Sequence, residues 1–124
     1  MNRLAAVLVA NLIASPVAVG EPLHVFVHFP SAVPDSLDRA IVFGAVLEAH
    51  GFDVVDLRPV NVQMPQPTIR YFEAGLRDEA LQFGNVVTGL LREQGFESIE
   101  VRVQDFTFYA PKPRRNAIEL WMAQ

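Results

Sequence analysis

The sequence predicts an α/β two-layer sandwich, in which two helices cover one β-sheet, carried behind an apolar leader. Three observations predict it. Segments with apolar residues at every second position alternate with two segments whose apolar residues recur every three or four positions. A Gly-Phe dipeptide follows each helical segment, at Gly51-Phe52 and again at Gly95-Phe96, where a glycine can take the left-handed conformation that closes a helix. The chain has no cysteine, so apolar burial must hold the domain together without disulfides.

The leader is Met1 to Gly20, whose single charge is Arg3. Leu4 to Ala14 is apolar but for Asn11 and, at about eleven residues, shorter than the ~20 that a membrane-spanning helix needs. Ser15 and Pro16 end that run, and Ala18 and Gly20 put small side chains at the third and first positions before Glu21. This is the pattern of an export signal cleaved after Gly20, with a retained membrane anchor as the alternative. The expected location is therefore periplasmic or otherwise extracytoplasmic, with no membrane span once the leader is removed.

Glu21 to Gln124 then forms a single small domain. The chain has ten Lys plus Arg and fourteen Asp plus Glu; setting Arg3 aside leaves nine against fourteen, a formal charge of −5. A mildly acidic domain gains little from counterion release, which argues against a nucleic-acid partner and against anionic lipid. Without cysteine, thiolate nucleophiles and cysteine-built zinc sites are excluded.

The elements follow in order. Leu23 to Phe29 reads as a first strand, with Val25, Val27 and Phe29 on one face and His24, Phe26 and His28 on the other. Pro30, Pro34 and Asp35 make a turn, and Asp35 or Ser36 is placed to cap a helix carrying Leu37, Ile41, Gly44 and Leu47. Phe52 to Val60 is a second strand, followed by a proline-marked loop through Pro65 and Pro67. Thr68 to Phe72 is a third strand. Leu76, Ala80, Phe83, Val87, Leu90 and Leu91 then give the most regular amphipathic helix in the chain. Ile99 to Phe106 alternates as a half-buried strand should, and the proline-rich Ala110 to Arg115 leads to Ile118–Met122, read as a fifth, edge strand. The first six elements run β-α-β-β-α-β, an order that most often gives a ferredoxin-like layer, here with an added C-terminal edge strand.

Between Val25 and Glu119 the segments Val25-Phe-Val-His-Phe29, His50-Gly-Phe-Asp-Val-Val-Asp56 and Thr68-Ile-Arg-Tyr-Phe72 resemble the LytR C-terminal type of α/β domain found in bacterial envelope proteins. The β-α-β-β-α-β order also resembles that of SPOR domains, whose sheet binds peptidoglycan glycan strands. The first resemblance implies an envelope protein of α/β fold, and the second implies a sheet face used for binding.

The candidate site is the sheet face away from the helices. If Val25, Val101 and Leu120 face the helices, then His24, Phe26, His28, Arg70, Phe72, Glu100, Arg102, Glu119 and Trp121 share the other face. Rings flanked by guanidinium and carboxylate groups suit a protein partner or a second copy of the chain, and they suit sugars equally, whose C–H faces stack on rings. The candidate binding residues are His24, Phe26, His28, Arg70, Phe72, Arg102 and Trp121. His24 and His28 lie four apart on one strand, roughly 13 Å at about 3.3 Å per residue, too far to share a metal ion. No metal or other cofactor is expected.

Catalytic residues are not evident. Asp53 with Asp56, and Glu97 with Glu100, are three apart in or beside strands, a spacing that sends two side chains of a regular strand to opposite faces. After the leader Ser31, Ser36 and Ser98 lie in turns or caps, without the Gly-x-Ser-x-Gly elbow of a hydrolase, and no glycine-rich phosphate loop is present. Lys112, Arg114 and Arg115 form the only dense basic patch, suited to an anionic polymer. His50, at the end of the first helix, is placed to stabilise the negative end of the helix dipole. The expectation is an exported, non-catalytic envelope module that binds a protein partner or itself, with peptidoglycan glycan as the alternative ligand.

Overall fold

The structure, a computed structural model, describes residues 22–123; the export signal read in Met1 to Gly20, with its cleavage site before Glu21, lies outside the described residues. Within them the chain forms β1 (His24–Pro30), α1 (Ser36–Ala49), β2 (Asp53–Val60), β3 (Thr68–Tyr71), a single 3-10 turn (Ala74–Leu76), α2 (Arg77–Glu93), β4 (Arg102–Asp105) and β5 (Ala117–Trp121). The predicted order of elements is present. The strand expected over Ile99 to Phe106 is shorter, because pairing to β3 begins only at Arg102.

The five strands make one sheet in the order β2-β1-β5-β3-β4. β1 pairs in parallel with both β2 and β5, β3 pairs in parallel with β4, and β3 meets β5 antiparallel. Two points differ from the sequence reading. Each strand-helix-strand unit has its two strands as direct neighbours, whereas the ferredoxin-like order splits such a unit around another strand. The C-terminal strand, expected at an edge, occupies the centre. The reason is burial on both sides: Ile118 and Leu120 are fully buried towards the helices, and Ala117 is buried on the other face. A strand with so little solvent-exposed surface gains most between two neighbours.

Both helices lie on the same face, and one core unites them with the sheet through Val25 and Val27 of β1, Ile69 of β3, Ile118 and Leu120 of β5, Leu47 of α1 and Phe83 of α2. α1 rests on β1 and β2, and α2 on β3 and β4. Gly84 lets α2 approach closely, since a Cβ there would lie 3.1 Å from Val103 Cγ2.

Both helices end as the sequence predicts. Gly51 and Gly95 have φ of 94° and 100°. Phe52 N–H donates to Leu47 O and Gly51 N–H to Glu48 O, and the same pair recurs from Phe96 to Leu91 and from Gly95 to Arg92, the Schellman closure. The two phenylalanines then diverge: Phe52 packs edge-on against Phe83 with ring centroids 4.8 Å apart, while Phe96 is half-exposed. At the start of α1, Asp35 takes the N-cap position with φ 67°, but its side chain makes no capping hydrogen bond. Ser36 is instead the first helical residue and is buried.

Candidate functional site

Strand alternation places the side chains of His24, Phe26 and His28 on the face away from the helices. Pairing puts Ala117, Glu119 and Trp121 of β5, Thr68 and Arg70 of β3, and Arg102 and Gln104 of β4 on that same face. A β-bulge in β2 changes one expectation. The register slips between Val25 and Phe26, so that His24 pairs with Asp53 and Phe26 with Asp56. Both carboxylates therefore lie on the open face, although their spacing of three predicts opposite faces, because the bulge inserts one unpaired residue between them. They do not act as a pair: Asp53 Oδ2 is 2.6 Å from His24 Nδ1, and Asp56 Oδ2 accepts from Arg58 Nε at 3.1 Å.

The face has no helix above it, yet its centre is dry. His24, Phe26 and His28 are only 8%, 7% and 5% exposed. Long side chains lying flat on their neighbours give the cover. The Arg58 guanidinium sits 4.5 Å from the Phe26 ring centre. The Arg70 guanidinium sits between two rings, 4.3 Å from Phe106 and 4.5 Å from Trp121, and its Nε donates to Gln104 Oε1 at 3.1 Å. The Trp121 ring in turn lies 4.3 Å from that of His28, and its Nε1 donates to Glu119 Oε1 at 2.8 Å.

This cover shapes the electrostatics. Burial, with Arg58 and Arg70 nearby, lowers the His28 pKa from 6.5 to about 4, so the ring is neutral near pH 7. Its Nδ1 is buried without a hydrogen-bond partner, 3.9 Å from Glu119 Oε1. Burial raises Glu119 above the usual carboxylate value, opposed by the Trp121 hydrogen bond and by the charges of Arg70 and Arg58. Desolvation likewise lowers Arg70 from its ordinary value.

Six of the seven residues singled out in the sequence share one face, Phe72 lying just beyond the end of β3, and they differ in access. Arg102 is exposed, and Arg70 and Trp121 are half-buried. His24, Phe26 and His28 are buried. Phe72 is also buried, beneath Phe106 and Tyr109, whose ring centroids are 6.0 and 5.9 Å away. Its ring is part of the support and does not meet solvent. Glu100 precedes β4, and its carbonyl accepts from Gln66 Nε2.

Sequence reasoning missed four contributors: Arg58, Phe106, Phe108 and Tyr109. The aromatic run Phe106-Thr-Phe-Tyr109 was the available signal, and Phe108 and Tyr109 are 77% and 46% exposed. The basic patch is also divided. Lys112 Nζ donates to the carbonyls of Phe72, at 3.0 Å, and Thr107, which pins the loop to the end of β3. Arg114 lines a shallow hollow with Phe26, Arg58 and Glu119. His50 donates from Nδ1 to Val46 O at 2.9 Å, capping the end of α1 as its position suggests.

Among the described residues no group of three His, Cys, Asp or Glu side chains is arranged to hold a metal ion. Among them, too, no helix is long and apolar enough to cross a membrane. No known family model, curated protein or solved structure matches the chain.

Proposed function

We propose that this chain is an exported, non-catalytic module of the cell envelope that binds a protein partner through the open sheet face. The observation that carries the reading is the stack of Phe106, Arg70 and Trp121, half-open to solvent and bordered by the exposed rings of Phe108 and Tyr109. Tryptophan, tyrosine and arginine are the side chains that dominate protein-protein binding energy, because they bury large rigid surfaces at small entropic cost.

Charge favours a partner with surface carboxylates. Of the nine basic residues after the leader, Arg58, Arg70 and Arg102 lie on this face and Lys112, Arg114 and Arg115 on the loop beside it, although the whole chain is acidic. On the sheet face Asp53, Asp56 and Glu119 balance the three arginines, so the positive surplus is that of the adjoining loop, which orients an acidic partner towards the edge of the stack. The envelope location rests on the leader pattern and on the likeness to LytR C-terminal domains.

The test is site-specific photocrosslinking in the producing cell, with the probe at Phe108 and a second probe on the outer face of α2 at Gln82. A crosslinked protein is expected from position 108 only, and Trp121→Ala together with Arg70→Gln should remove it. Equal capture from both positions, or capture that survives the double substitution, would overturn the reading. Capture of the chain itself would identify the partner as a second copy. Co-sedimentation with sacculi in place of any crosslink would move the assignment to glycan. Fractionation of the same cells checks export.

A further inference from the structure

The central position of β5 leaves a cleft on the opposite side of the molecule, between the two helices. Because each strand-helix-strand unit carries its helix over its own strands, no helix lies over β5, and α1 and α2 hardly touch. At one end Phe52 and Phe83 close the gap. At the other, where β5 finishes, the gap stays open as a cleft of about 180 Å³. Met122 forms its floor beside the buried Leu120, Leu91 of α2 and Ile99 its wall, and Val42 and Phe96 its lips. The lining is almost wholly apolar. Val42 and Phe96 are nevertheless 58% and 45% exposed, an unfavourable arrangement for a surface with nothing to cover it.

One cation stands at the mouth. Arg39, three residues before Val42 on α1, is half-buried against the cleft. Its guanidinium has no hydrogen-bond, ion-pair or ring partner among the described residues. The acidic residues near it in sequence, Asp35 and Asp38, make no ion pair with it either. An apolar cleft lined by one guanidinium that no described residue pairs is complementary to a molecule of the opposite make-up: a short apolar body ending in a carboxylate. The volume sets the size, since a cavity of ~150 Å³ accepts one benzene ring.

We infer that the cleft between α1 and α2 binds a small free carboxylate whose single ring or short acyl chain rests on Leu91 and Met122 while its carboxylate pairs with Arg39. This site is independent of the open face and stands whether or not that face binds a partner.

The experiment titrates 4-phenylbutyrate into the protein and follows backbone amide shifts by two-dimensional NMR, with 4-phenylbutylamine as the same body bearing the opposite charge. Saturable shifts are expected at Leu91, Leu120 and Met122 with the acid, and binding about tenfold weaker, or none, with the amine. Arg39→Gln should weaken the acid by a similar factor. Val42→Asp should abolish its binding, and Val42→Lys should preserve it; position 42 is exposed, so neither change burdens the core. Equal binding of acid and amine, indifference to Arg39→Gln, or shifts confined to the open face would each overturn the inference.

Discussion

On the helix side of β1, Val25 and Val27 are fully buried in one aliphatic and aromatic cluster with Leu47 and Phe83. On the other side His24, Phe26 and His28 are buried nearly as well, with no helix over them. The first face is covered by whole secondary-structure elements, whose apolar surfaces interlock. The second is covered by single side chains, Arg58 on Phe26 and Arg70 on Trp121, held by cation-ring contact and a few hydrogen bonds. Cover of the first kind comes off only by unfolding. Cover of the second kind is made of long, flexible groups that a partner can displace or join, and it brings titratable groups into a dry environment.

The contrast can be broken most severely from the helix side. Phe83 is 1% exposed at the meeting point of α2, the core and Phe52. Phe83→Ala should cost about 3–5 kcal/mol in chemical denaturation, a large part of the stability of a domain this size. A loss below about 1 kcal/mol would mean that this face is not the closely packed one.

The next effect separates the faces by pH. The folded pKa of His28, about 4, lies below its unfolded value of 6.5, so the unfolded chain takes up the proton first as pH falls. Stability is therefore complete above pH 6.5 and is lost between 6.5 and 4, by up to about 3 kcal/mol from this group. Glu119 acts in the opposite sense, since its raised folded value favours the native form on acidification. His28→Gln should consequently flatten the fall in stability, or reverse it, when urea midpoints are compared at pH 7, 5 and 4. Parallel curves for the two proteins would show that burial of this ring carries no proton linkage.

The smallest effect tests the side-chain cover itself. Arg58→Ala removes the cation from the Phe26 ring and should cost only about 0.5–1 kcal/mol, because the guanidinium is half-exposed and already paired with Asp56. It should also open Phe26 to solvent. Faster exchange of the β1 amides without a matching loss of global stability is the expected signature.

Much of this was legible in the chain. Period-two alternation placed Val25 and Leu120 against the helices and His28, Arg70 and Trp121 away from them, because a strand's side chains must alternate whatever pairs with it. The Gly-Phe pairs located both helix ends, since a left-handed closure is a local requirement. Asp53 and Asp56 could not be placed in this way. Their shared face depends on a bulge, which is a property of pairing with β1 and not of β2 alone. The burial of Phe72 was hidden for a similar reason, as its cover comes from Phe106 and Tyr109, more than thirty residues later.

By itself the sequence determined the elements, their order and, along each regular strand, which side chains share a face, because propensity, alternation and helix closure act over a few residues. Only the tertiary structure decided that β5 lies at the centre of the sheet, and with it the cleft above Leu120 and the Arg70–Trp121 stack below. Strand order is set by which apolar surfaces find cover across the whole chain, and a segment of five residues contains no record of its neighbours.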